Sequence, residues 1–203
     1  LDMFGDPVTN PKGFEKSALG SCIEKVNKIG KSYSKDSIQY LDIGSIDNIR
    51  NITTETTFFN TIERPSRAQQ ILLSGDIIFS TVRPNLKNIA INYIDGRIGS
   101  TGFFICRTNS DIIINFFLFR LLLTDTVTEY FVGITSGANY PAVNSSDIKK
   151  FQVIIPPLEL QNQFAERVQA IEEQKAQAQA SLAQAEDLFN SLLQRAFKGE
   201  LTS

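Results

Sequence analysis

Histidine is absent from this 203-residue chain. The absence excludes Ser-His-Asp and Cys-His catalysis, together with metal sites built on imidazole. Two cysteines, Cys22 and Cys106, are too few for a structural zinc site, and we expect them to be reduced and buried in a cytoplasmic protein. Long hydrophobic runs are also missing, since the longest, from Ile112 to Leu123, contains Asn115 and Arg120 and is too short to span a membrane.

Motifs that bind nucleotides or perform catalysis are missing as well. Neither G-x-x-x-x-G-K-[ST] nor G-x-G-x-x-G occurs, so no glycine loop is available to cradle phosphates. The flanks of the single Pro-Pro pair do not match the Asn/Asp-Pro-Pro-aromatic loop of a DNA adenine methylase. The one Glu-x-Lys triplet, Glu173-Gln174-Lys175, falls in a segment with a strong helical pattern. None of these motifs indicates catalysis, although a chain with 22 acidic residues always allows some carboxylate pair.

Charge is nearly balanced, with 20 Lys and Arg against 22 Asp and Glu. The acidic excess lies at the C-terminal end, where residues 157–203 hold 4 basic and 7 acidic side chains, whereas residues 1–156 hold 16 and 15. This balance argues against an indiscriminate nucleic-acid binder. A basic contact surface would have to be local and to lie on the larger domain.

The C-terminal quarter has the pattern of one long helix. Pro156-Pro157 ends the preceding segment, and no further Gly or Pro occurs before Gly199, which predicts a helix from Leu158 to Phe197. We divide the chain into a domain at 1–156, a helix at 157–198 and a tail at 199–203. About 40 residues at 1.5 Å each would extend roughly 60 Å, which is longer than the domain is wide.

A heptad seam runs along this helix in alternating steps of four and three residues. A 3.5-residue period predicts a left-handed coiled coil with a partner helix, whereas a helix packed on its own domain would show a wider stripe. Lys175 is the single polar member of the seam. The predicted interface comprises Phe164, Val168, Ile171, Lys175, Ala178, Leu182, Ala185, Phe189, Leu192 and Ala196.

Residues 1–156 alternate short strands with turns. Their β-branched and aromatic residues predict strands at 39–43, 76–81, 89–93, 102–107 and 151–155. Between Asp111 and Ile134 the apolar spacing becomes helical. The predicted fold is therefore α+β: a mixed, β-rich domain followed by one long C-terminal coiled-coil helix.

Polar and basic loops between the strands are the best candidates for function. Arginine can grip guanine, asparagine can grip adenine, and lysine can position phosphates. Such loops occur at 64–67 and 81–88, and a third at 135–144 combines two amides and a tyrosine with glycine. The simpler alternative is that these loops are ordinary solvated connections.

Together the loops and the helix resemble one target-recognition domain and one spacer helix of a specificity subunit of type I restriction–modification systems. The motifs that carry the resemblance are YLDIGSID at 40–47, GDIIFSTVRPNLKNIAI at 75–91, STGFFICR at 100–107, SGANYPAVNSSDIKKFQVIIPPLELQNQFAERV at 136–168 and SLLQRAFKGEL at 191–201. The segment from Asn48 to Gln70 matches no motif, and in this family such segments vary with the target.

The resemblance implies a non-catalytic DNA reader. In the family, two recognition domains at the ends of an antiparallel helix pair each read half of a split target in double-stranded DNA. Modification subunits use S-adenosylmethionine, and a restriction subunit uses ATP and Mg²⁺, so these groups are expected only on partners. On loop placement we predict DNA contacts from Arg64, Arg67, Arg83, Asn85, Lys87, Asn139 and Tyr140.

Two questions about this chain stay open at the level of sequence. The family's subunits have two domains and two helices, and the opening LDMFGDPVTNPKGF is similar to the join after their first helix. The chain is then either a half-subunit that pairs with itself or the C-terminal half of a longer one. Two other functions compete with DNA recognition: a catalytic DNA enzyme, either nuclease or methyltransferase, and a coiled-coil adaptor that binds protein.

Overall fold

The computed structural model describes residues 3–30, 33, 35–135 and 141–198. The chain divides into two compact units, Leu1–Asn162 and Gln163–Ser203. The strands are β1 (Glu15–Ala18), β2 (Ile23–Glu24), β3 (Ser37–Leu41), β4 (Ile46–Asp47), β5 (Ile52–Thr53), β6 (Thr57–Asn60), β7 (Ala68–Ile71), β8 (Ile77–Ser80), β9 (Ile89–Ile91), β10 (Ile98–Ser100), β11 (Phe103–Thr108) and β12 (Gln152–Ile155). The helices are α1 (Asn115–Leu122), α2 (Asp125–Gly133), α3 (Ser145–Lys150) and α4 (Leu158–Phe197).

Two four-stranded sheets form most of the first unit. One has the order β6-β3-β10-β7, in which β3 and β10 are parallel, and the other has the order β2-β11-β8-β9 and is antiparallel throughout. Two smaller pairs, β1 with β12 and β4 with β5, complete the strands of the described ranges. The predicted α+β class, a β-rich domain followed by one long C-terminal helix, is confirmed.

Successive side chains of a strand point to opposite faces of its sheet, so one strand can contribute to two apolar clusters. In β3, Ile38 and Tyr40 enter one apolar cluster with Ile98, whereas Leu41 enters another. This second cluster combines residues of both sheets, including Ile78 of β8 and Phe103 of β11. A core shared by two sheets holds the connections between strands in fixed positions.

The helical pattern predicted between Asp111 and Ile134 forms two helices instead of one. α1 ends at Leu122, and α2 starts again at Asp125 after Thr124, whose backbone is extended. The Thr124 hydroxyl donates to the carbonyl of Leu121 at 2.8 Å, a local bond that competes with helix continuation. In α2, Phe131 packs against Phe79, with their ring centroids 5.2 Å apart.

Helix α4 has the bounds that its sequence predicts, Leu158–Phe197. Within its first turns, the buried Gln161 donates to the carbonyls of Pro156 (2.8 Å) and Ile112 (3.2 Å) and accepts from the N–H of Ile114 (2.9 Å). All three polar partners belong to the first unit, so the start of the helix is bonded into that unit. No helix in the described part of the chain has both the length and the apolar character needed to cross a membrane.

Candidate nucleic-acid interface

The short hairpin of β4 and β5 presents a turn at residues 48–51 whose shape is set by an aspartate. Asp47 Oδ1 accepts hydrogen bonds from the backbone N–H groups of Ile49 (2.9 Å) and Arg50 (3.0 Å). These bonds, that from Arg50 first, lower the pKa of the Asp47 carboxyl below its usual value. The turn leaves the Ile49 residue 90% exposed and the Arg50 side chain 77% exposed.

The loop after β8 has two backbone positions that most residues avoid. Arg83 (φ 50°) and Lys87 (φ 49°) are both left-handed, and they flank a 3-10 turn at Pro84–Leu86. Such conformations persist only where surrounding contacts hold them. Here the Arg83 N–H donates to the carbonyl of Pro141 at 2.8 Å. The loop is therefore a fixed structure that leaves Arg83 and Asn85 exposed.

Side-chain amides join the turn and the loop into one surface. Asn48 Nδ2 donates to the carbonyl of Leu86 at 2.9 Å, and Asn51 Nδ2 donates to the carbonyls of Lys87 (2.9 Å) and Ile89 (3.2 Å). We call residues 48–51 and 83–87 the paired-loop surface. Arginines and an asparagine near exposed apolar side chains provide hydrogen-bond donors and acceptors for base edges, and apolar contact for thymine methyl groups.

Lys87 occupies a more internal place than the sequence predicts. Its ammonium group donates to the carbonyl of Leu123 at 2.9 Å and to the carboxylate of Asp125 at the start of α2. The hydrogen bond from Lys87 lowers the pKa of the Asp125 carboxyl. The structure thus gives Lys87 a role in fixing the loop to α2, and its predicted DNA contact stays a prediction.

The other predicted contact residues lie in two further segments. Arg64 and Arg67 belong to the connection between β6 and β7, where Arg64 is half-buried and donates to the carbonyl of Thr61, and Arg67 is exposed. Asn139 and Tyr140 lie outside the described residues. The structure therefore brings Arg83, Asn85 and Lys87 together with the 48–51 turn.

Ile49 and Arg50 are not among the predicted contact residues, because their segment matches no motif. A usable signal was present, since Asp47, Asn48 and Asn51 are turn-forming residues between isoleucines. Among the described residues, no group of three or more His, Cys, Asp or Glu side chains could hold a metal ion. The groups that the paired-loop surface offers are hydrogen-bond donors and acceptors and exposed apolar side chains.

Asn51 allows the bracing of this surface to be measured. Replacing Asn51 with glycine keeps its left-handed backbone (φ 56°) accessible but removes both amide bonds, and we expect a loss of about 1–2 kcal/mol in the free energy of unfolding. Alanine should cost roughly 1 kcal/mol more, because its Cβ disfavours that backbone. Urea unfolding of both variants is the measurement. Equal stability of the two would contradict a left-handed requirement at this position.

The fold and this surface define a β-rich binding domain whose chain continues into one long helix. A family model described as the type I restriction modification DNA specificity domain matches residues 11–186. The chain belongs to this family.

Individual relatives agree with the family match. The type I restriction enzyme EcoDI specificity subunit of Escherichia coli is 31% identical over 163 residues, which are 77% of this chain and 36% of that protein. The crystal structure of the HsdS subunit from Thermoanaerobacter tengcongensis is similar with a TM-score of 0.76 and 32% identity, covering 92% of this chain and 49% of that one. A structure described for complex assembly and conformational transition of the type I R-M system gives a TM-score of 0.74 at 31% identity, with the same coverage. The chain spans about half of these solved chains and about a third of the curated relative.

Proposed function

We propose that this chain is a DNA-recognition unit of a type I restriction–modification complex and that it reads one half of a split target. The observation that carries the proposal is the paired-loop surface, where the amides of Asn48 and Asn51 brace the backbone that carries three exposed residues, Arg50, Arg83 and Asn85. Rigid placement of bidentate donors is what direct base readout requires. Relatives named as specificity subunits support the same role.

The proposed unit is non-catalytic and acts through cytoplasmic partners. Modification subunits would dock on it and methylate the target with S-adenosylmethionine, and a restriction subunit would supply ATP- and Mg²⁺-dependent cleavage. This chain would hold none of these groups itself. A relative solved in the context of type I R-M complex assembly supports such partners.

Helix α4 is the proposed contact with a second recognition half. Beyond Val168, all the described residues of the helix are exposed, including the seam residues Ile171, Leu182 and Phe189. Exposed apolar residues at a heptad period favour burial against another helix. We propose an antiparallel pair, formed either by two copies of this chain or by two halves of one subunit.

Target selection with paired variants tests the proposed function. The chain, assembled with its modification subunits, is used to select methylated duplexes from a randomised library. Replacing Arg83 or Asn85 with alanine should weaken methylation of the selected site about 10- to 100-fold and relax one base position, because a bidentate base contact contributes about 1–3 kcal/mol. Lys25, exposed on the segment after β2, provides a control substitution that should change neither property.

Two results would contradict the proposal. Unchanged methylation when both Arg83 and Asn85 are alanine would place the reading surface elsewhere. Binding of S-adenosylmethionine, or Mg²⁺-dependent cleavage, by the purified chain alone would instead favour a catalytic DNA enzyme.

A further inference from the structure

Arg97 is a buried arginine for which the described part of the chain provides no counter-ion. Its residue is 8% exposed, and it takes part in no ion pair among residues 3–30, 33, 35–135 and 141–198. Its Nη1 donates to Thr53 Oγ1 at 3.2 Å, whereas its Nε is buried and has no hydrogen-bond partner among the described residues. Burial lowers the pKa of Arg97. Removing a charge from water without a compensating partner is among the costliest arrangements in a folded protein.

Arg107, whose side chain is 13% exposed, provides the comparison. Arg107 directs Nε and Nη2, the edge that holds carboxylates and phosphates in two parallel bonds, at both oxygens of Asp76, at 2.9 and 2.8 Å. The corresponding edge of Arg97 meets no carboxylate in the described part of the chain. Of these two arginines, Arg107 has a carboxylate partner although its side chain is 13% exposed, whereas the more deeply buried Arg97 has none among the described residues.

Thr53 supplies a second donor beside this guanidinium. Its hydroxyl oxygen accepts the bond from Arg97, so its own proton is available to donate to an anion. The residue is half-exposed, and it lies on β5 two positions after Asn51, about 7 Å along the strand. The pair is therefore next to the paired-loop surface.

We propose that Arg97 and Thr53 form a phosphate-binding site that contacts the backbone of DNA held on the paired-loop surface. The inference rests on the proposed function for its ligand and on the unpaired guanidinium for its chemistry. A phosphate would supply the negative charge that the fold omits, and a hydroxyl and a guanidinium are common phosphate donors in protein–DNA contacts. Such a contact fixes the register of the protein on the duplex without reading a base.

Three variants separate this site from a structural role. Arg97→Met keeps the length of the side chain and removes its charge, Arg97→Lys keeps the charge and loses the fork, and Thr53→Val removes the hydroxyl. Lys25→Met is the matched control, since it removes one exposed positive charge. In chloride buffer we expect Arg97→Met to unfold at the same temperature as the wild type or above it, because no ion pair is lost. A structural arginine would instead lower the unfolding temperature.

Inorganic phosphate is the first probe. At matched ionic strength, changing chloride for phosphate should raise the unfolding temperature of the wild type and of Lys25→Met by several degrees more than that of Arg97→Met, because a bound ligand stabilises the folded state. The general stabilisation by phosphate acts on every variant and cancels in this comparison. Arg97→Lys and Thr53→Val should show intermediate shifts.

Duplex DNA selected by the wild-type complex is the second probe. Arg97→Met should weaken binding about tenfold on target and non-target duplexes alike. The decrease of log binding constant with log salt concentration should become less steep by about one. Lys25→Met should change neither quantity.

The two probes give distinguishable outcomes. Loss of phosphate stabilisation together with the reduced salt slope supports both the site and its DNA ligand. Loss of phosphate stabilisation in a complex that binds no duplex supports an anion site but defeats the proposed function. Duplex binding with an unchanged slope and equal phosphate shifts in the wild type and Arg97→Met overturns the inference and leaves the proposed function intact.

Discussion

Replacing Asp76 with alanine is expected to lower the free energy of unfolding of the β-rich unit by about 3–5 kcal/mol. Asp76 is 2% exposed, and its carboxylate accepts two parallel bonds from Arg107 and a third, at 2.8 Å, from the backbone N–H of Leu73. Its removal leaves the Arg107 guanidinium without its carboxylate partner in a site that is largely closed to water. The bond to Asp76 raises the pKa of Arg107, and the variant loses this contribution, but a guanidinium is so strongly basic that the remaining group would stay charged.

Tyrosine fluorescence during urea unfolding measures this loss of stability in the first unit, Leu1–Asn162. The five tyrosines of the sequence all precede residue 163, so unfolding of the rest of α4 does not contribute to the signal. Arg50→Ala is the matched control, because Arg50 pairs with Asp47 at the surface at 3.9 Å and should cost less than about 1 kcal/mol.

A double replacement distinguishes a buried pair from two independent contacts. Asp76→Leu combined with Arg107→Met replaces both charges with apolar groups, and it should cost less than Asp76→Ala alone. The single variants Asp76→Leu and Arg107→Met complete the comparison. If their losses in free energy of unfolding add up to the loss of the double variant, the pair is not energetically coupled, and the expected loss has another origin.

The parts of the fold that were predictable have local causes. The bounds of α4 agree with the sequence because tandem prolines, an uninterrupted run of helix formers and a heptad period act within neighbouring turns. Each of the five predicted strand segments overlaps an observed strand, since β-branched and aromatic runs mark buried strands.

The missed elements depend on contacts that are distant in sequence. β4 and β5 have two residues each, too few for a periodic pattern, and the amides of Asn48 and Asn51 brace their turn against carbonyls 36 to 38 residues away. The same holds for the environment of single side chains. The sequence alone does not distinguish Arg107, which has a buried carboxylate partner, from Arg97, which has no such partner in the ranges that the structure describes.

Inserting two residues after Ala178 is expected to abolish both helix pairing and target methylation. Two residues rotate the following part of a helix by about 200°, which turns Leu182, Phe189 and Leu192 away from a partner. These side chains are exposed in the single chain, so their burial would depend on that partner. Sedimentation of the purified chain, alone and with its modification subunits, measures the pairing. Full activity with this insertion would exclude the coiled coil as the contact between recognition halves.

Inserting seven residues at the same place, a copy of residues 172–178, is expected to keep pairing and to change the target instead. A whole heptad restores the seam and lengthens α4 by about 10 Å, or about three base pairs at 3.4 Å each. If two antiparallel helices separate the recognition domains, the gap between half-targets should widen by a few base pairs while each half-sequence stays the same. When both partners carry the insertion, the two helices still lie side by side along the same length. The gap should therefore widen by the increment of one insertion and not by the sum of two. Selection from a library with a randomised gap measures this, and an unchanged gap in an active, paired complex would mean that α4 does not set the distance between the half-targets.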